Sequence, residues 1–114
     1  MQKCTELGVS GIIPIEMPRS VVRIIKDKSA KKTARLQKIA TEAAQQSKQD
    51  VVPQISEPLS WQEFLRETES LAGLTLVLWE YEKFCGFKDV LVNYAEVERI
   101  NLIIGPEGGL GAEE

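Results

Sequence analysis

Histidine is absent from this chain. That removes Ser-His-Asp and Cys-His nucleophilic machinery, and the zinc sites that depend on imidazole. An enzyme made from these residues works by positioning, by carboxylates or arginines, or through a cofactor's own reactivity. Cysteine is nearly absent as well. Cys4 and Cys85 read as buried small apolar residues rather than as a disulfide or a metal pair. Neither a GxxxxGK[ST] phosphate loop nor a GxGxxG fingerprint occurs, which counts against the common nucleotide-binding α/β proteins. No apolar run approaches the roughly 20 residues of a membrane span. The amino end, MQKCTELG, lacks the apolar stretch of a secretory signal. A cytoplasmic protein with no membrane and no metal partner is the default expectation.

What is present suits one soluble domain with one core. The chain has 114 residues, 43% hydrophobic and 27% charged. Its net charge is −3, but the charges are segregated. From Arg19 to Lys38 eight bases face one acid, Asp27. From Glu57 onward twelve acids face the four bases Arg66, Lys83, Lys88 and Arg99. A basic run is either a solvated helix face or a patch for a phosphate backbone.

The pattern alternates helix and strand. Residues 2–7 read as the end of a helix stopped by Gly8. Gly11 to Ile15 reads as a buried strand with Pro14 near its end. Residues 31–47 form the clearest helix, where Leu36, Ile39, Ala40, Ala43, Ala44 and Ser47 make a narrow small-residue stripe able to lie close to a sheet. Val51 to Ile55 reads as a short strand. Ser60 and Glu63 have capping-box spacing and should open a helix to about Leu71, stopped by Gly73. Leu74 to Trp79 carries no charge and reads as a central strand buried on both faces. Residues 90–97 suggest a short helix, and Ile100 to Ile104 another buried strand. Apolar strands alternating with helices predict an α/β fold, a parallel sheet covered by helices, with ligands at the carboxyl ends of the strands.

One such end leads into Gly105-Pro106-Glu107-Gly108-Gly109. Glycines let a ligand touch the main chain, and amides beside a helix start can hold polar ligand atoms. The loop has no lysine, and Glu107 would repel a triphosphate. It suits a neutral or cationic ligand, or else it is a tight turn with no ligand.

Taken in order, "QKCTELGVSGIIPIEMPRSV", "KIATEAAQQSKQDVVPQI" and "LIIGPEGGLGAEE" resemble the ribosomal RNA small subunit methyltransferase E family, over essentially all 114 residues. The strongest elements are Glu6 to Val9, the Glu42-to-Ser47 stretch followed by Val52-Pro53, and Gly105 to Gly109. The resemblance implies a SPOUT-type domain with a deep trefoil knot, S-adenosylmethionine bound in the knot, a homodimer, and methylation of uridine N3 in bacterial 16S rRNA. By family position the donor pocket would use Leu78, Ile104, Gly105, Pro106, Glu107 and Gly109. Arg19, Arg23, Lys32 and Arg35 become the expected contacts to the rRNA backbone. Glu42 and Gln46 lie one helical turn apart and form either a polar face near the substrate or ordinary solvated surface.

Glu107 has three open roles: catalytic base, orienter of the donor, or cap of the next helix. The alternative to an enzyme is a non-catalytic RNA-binding or dimerisation module of the same fold. The sequence departs from the family at Gln49, where an arginine is usual, and at Leu36, often tryptophan. It also lacks the family's amino-terminal PUA-like domain, the first strand of its sheet and the knot-closing segment. The expectation is therefore a partial methyltransferase domain, residues 1–114, of a longer protein, binding little donor by itself.

Overall fold

The computed structural model describes residues 1–17, 29–83, 85–106 and 109–110. The chain forms two compact units, Met1–Phe64 and Leu65–Glu114. In both, every strand pairing among the described residues is parallel.

The first unit opens with helix α1 (Gln2–Glu6). It ends as Gly8 dictates. Gly8 adopts φ +83°, its N–H donates to the Thr5 carbonyl at 2.9 Å, and the Val9 N–H donates to the Cys4 carbonyl at 3.2 Å. These two bonds close a Schellman motif, which needs a left-handed residue. The Gln49 side-chain amide adds a third closure by donating to the Glu6 carbonyl at 2.8 Å. Gln49, the departure from the usual arginine, thus caps a helix.

The expected strand over residues 11–15 is broken in two: β1 (Gly11–Ile12) and β2 (Ile15–Glu16). Their partners are β3 (Gln54–Ile55) and β4 (Leu59–Ser60). Ile12 pairs with Ile55, but Ile15 pairs with Leu59. Ile13-Pro14 on one side thus faces Ser56-Glu57-Pro58 on the other, one residue more. Pro14 and Pro58 have no N–H to give a ladder, so the pairing slips where they stand. The run Val51-Val52 lies outside β3 and is exposed, contrary to the expected strand from 51.

Helix α2 (Ser29–Ser47) confirms the small-residue stripe: Ala40, Ala43 and Ala44 are buried. The helix packs against α1 and β3. Gln37, one residue outside that stripe, makes the decisive link. Its amide nitrogen donates to the Pro53 carbonyl at 3.0 Å, and its amide oxygen accepts from the Ile55 N–H at 2.9 Å. One side chain thus does for β3 what a neighbouring strand would. Helix α3 (Trp61–Thr68) opens with the expected capping box. The Ser60 N–H donates to Glu63 Oε2 at 2.8 Å, and the Glu63 N–H donates to Ser60 Oγ at 3.3 Å.

The second unit is built on β5 (Leu74–Leu78) and β6 (Ile100–Ile104), paired in unbroken register from Leu74↔Ile100 to Leu78↔Ile104. Helix α4 runs over Phe87–Asn93, earlier than the expected 90–97, because Gly86 rather than a later residue starts it. Two expectations fail here. β5 is not buried on both faces, since Val77 is 54% exposed, and β6 buries only Ile103. An apolar run without alternation gives both faces the same side chains, so it records no difference between a covered face and an open one. Cys85 is also exposed rather than buried, and both cysteines are free.

The register of this pair starts at Gly73. Its φ is +99°, and a β-carbon there would lie 2.3 Å from the Arg99 carbonyl oxygen, with the Leu74 N–H bonded to that same oxygen at 2.9 Å. Gly73→Ala should therefore cost about 2–4 kcal/mol through strain and backbone collision. Urea denaturation checks this; a loss under about 0.5 kcal/mol would contradict it. Gln37→Leu should cost about 2–3 kcal/mol by leaving two buried main-chain groups unpaired. Gln37→Glu, which keeps the acceptor for Ile55, should fall between, and hydrogen exchange at the Ile55 amide should rise in Gln37→Leu but little in Gln37→Glu.

Candidate functional site

Because the register of β5 and β6 never slips, Leu78 and Ile104 form the last pair and both strands end at one level. Whatever follows them must lie side by side. Both end residues are accessible, Leu78 at 39% and Ile104 at 65%.

After β6 the chain turns tightly. The Gly109 N–H donates to the Pro106 carbonyl at 2.8 Å, and Gly109 has φ +70°. Leu110 then folds back and is buried. A β-carbon on Gly105 would lie 2.9 Å from Leu110 Cγ, so only glycine lets this leucine seat itself. Of the predicted donor-site residues, Leu78, Ile104, Gly105, Pro106 and Gly109 are thus gathered at one end of one strand pair. Glu107 lies outside the described residues. Neither Pro106, which has no N–H, nor Gly109, whose N–H is consumed in the turn, can donate to a ligand. Their contribution is shape and carbonyl oxygen.

After β5 come Trp79, Glu80 and Tyr81. The chain turns here too, with the Glu82 N–H donating to the Trp79 carbonyl at 3.2 Å. Trp79 and Tyr81 meet edge to face at 5.8 Å. Glu80 reaches the glycine turn: a β-carbon on Gly109 would lie 3.1 Å from Glu80 Oε2. Sequence reasoning missed Glu80. The available signal was its place as the first charge after an uncharged strand, at the carboxyl end where ligands bind. The site so assembled pairs a carboxylate with a bare turn that carries no base. It is chemically suited to a cation and hostile to a phosphate.

The expected RNA contacts are divided. Arg19 and Arg23 lie outside the described residues. Lys32 and Arg35 stand one turn apart on α2, Arg35 exposed and Lys32 half-buried. Lys38 is engaged with Glu42 at 3.9 Å, both largely in solvent, a pair of little energetic weight. Gln46 is exposed on the same helix. A cleft of about 300 Å³ in the first unit is lined by Glu16, Glu57 and Glu63 among others. Glu63 there is committed to its capping box, and among the described residues no cluster could hold a metal ion.

Comparison with known proteins gives this geometry its context. The chain is 33% identical over its whole length to ribosomal RNA small subunit methyltransferase E of Bacillus subtilis, and 28% identical to the protein of that name from Aquifex aeolicus. It spans 46% of each, so about half the length of the curated relatives it matches. A methyltransferase from Legionella pneumophila, solved with bound SAM, superposes with a TM-score of 0.78 at 34% identity, covering 98% of this chain and 44% of that one. Ribosomal RNA small subunit methyltransferase E from Neisseria gonorrhoeae, bound to S-adenosyl methionine, gives 0.76 at 28% identity with the same coverage. The family model described as RNA methyltransferase domain matches residues 1–114, and the chain belongs to that family.

Proposed function

We propose that the protein methylates N3 of a uridine in small-subunit ribosomal RNA, with S-adenosylmethionine as donor held at the level ends of β5 and β6. The observation that supports this best is the joining of Glu80 to the Pro106–Gly109 turn beside the accessible ends of two parallel strands. A carboxylate and a turn without basic residues match a sulfonium-bearing nucleoside. The same reading carries Arg19, Arg23, Lys32 and Arg35 as contacts to the rRNA backbone. It also carries the knotted homodimer and the cytoplasmic location expected from the resemblance.

When bound, the donor supplies an already activated methyl group. The chain's work is then mostly orientation. Leu78 and Ile104 offer the apolar floor beside the glycine turn. The acceptor N3 must lose a proton, so a base or a cation near the uridine is needed. Glu107 serves in this reading to orient the donor.

The direct test supplies the full-length protein with methyl-labelled donor and unmethylated small subunits, then maps the product. A methyl group on N3 blocks the Watson–Crick edge and halts reverse transcription at that nucleotide. Absence of transfer would favour the non-catalytic module. Glu107→Gln should raise the donor KM several-fold with kcat little changed; unchanged donor binding with lost turnover would instead make Glu107 catalytic. Arg35→Ala should weaken rRNA binding evenly across sequences and lower the log–log salt slope by about one. An unaltered slope would return Arg35 to ordinary solvated surface.

A further inference from the structure

Glu80 carries an inference that deepens the donor assignment and rests on it. Three observations converge on this side chain. It follows β5 by two residues, at the carboxyl end of the strand pair. Its carboxylate lies against Gly109, whose lack of a β-carbon leaves room for it, with Oε2 3.1 Å and Oε1 3.7 Å from where a β-carbon would stand. Among the described residues it makes no hydrogen bond and no ion pair, unlike the Lys3–Glu6 and Lys38–Glu42 carboxylates. An exposed carboxylate that pairs with nothing among the described residues, yet lies beside the glycine turn, has a charge to offer.

We infer that Glu80 is a specificity-determining residue that distinguishes the charged methyl donor from its neutral product. In the transfer, the bond between sulfur and methyl breaks with its electron pair left on sulfur. The new bond to methyl is made by the acceptor's own pair, after the acceptor proton has gone to a base. Sulfur therefore enters as a sulfonium and leaves as an uncharged thioether. Every apolar and main-chain contact to adenine, ribose and the amino-acid tail is common to donor and product. Apart from the methyl group itself, only the charge at sulfur tells them apart. Glu80 attracts the first and is indifferent to the second, so spent cofactor departs while fresh donor is retained. The attraction acts on the bound ground state, so its loss appears in donor affinity and product inhibition more than in the chemical step.

The experiment measures dissociation constants of S-adenosylmethionine and S-adenosylhomocysteine on the full-length protein and on Glu80→Gln, which keeps size and one acceptor oxygen. Wild type should favour the donor. Glu80→Gln should lose about tenfold of donor affinity and leave product affinity within about twofold, collapsing the ratio. Glu80→Asp, retaining charge, should restore part of it. Equal weakening of both ligands would show a purely structural role for Glu80 and overturn the inference while leaving the donor site standing. An unchanged ratio would do the same. Failure of wild type to bind either ligand would overturn the donor assignment and this inference together.

Discussion

The site depends on where two strands begin. The Leu74 N–H meets the Arg99 carbonyl at 2.9 Å only because residue 73 has no β-carbon to collide with that oxygen. From this contact the pairing runs without a slip to Leu78 and Ile104. A one-residue slip would turn every side chain of one strand to the opposite face and put its exit out of step with its neighbour's. Level exits bring Glu80 against Gly109, and thus bring a carboxylate to the glycine turn. The chemistry assigned to the chain follows from that adjacency.

The first unit shows the contrary case. There the parallel pairing slips by one residue across Pro14 and Pro58, and the ladder is short on both sides of the slip. Main-chain groups left over are taken up by side chains: Gln37 serves Pro53 and Ile55, and Gln49 serves the end of α1. Helix α2 is thereby tied to the strand it covers by a bidentate amide as well as by its alanines. Its exposed surface is left for charge, Arg35 included, while Lys32 is half-buried. Anion-seeking and cation-seeking chemistry are thus carried by different stretches of one chain, as the segregation of bases and acids along the sequence suggests.

Much of this was legible in the residues where a local rule acts alone. Gly8 as a helix stop, Ser60 and Glu63 as a capping box, and the alanines of α2 as a buried stripe all depend on near neighbours in sequence. The strands were located from apolar runs, but their exposure was not: Ile100, Leu102 and Ile104 look the same whether covered or open. Pro14 alone does not reveal its consequence, because the slip also needs Pro58, more than forty residues away in the chain. Gln37 and Glu80 were missed for a related reason. Each acts on a main chain distant in sequence, and neither belongs to a motif with fixed spacing. The glycine loop was recognised as a candidate site, yet its partner across the strand ends could be found only in three dimensions.

The central claim is that S-adenosylmethionine occupies the ends of β5 and β6. Hydrogen exchange on the full-length protein, with and without S-adenosylmethionine, tests it most directly. The account expects slowed exchange in residues 78–81 and 104–110, with α1 and α2 unchanged. Protection confined to the Glu16, Glu57 and Glu63 cleft of the first unit, with the glycine turn exchanging as before, would contradict it.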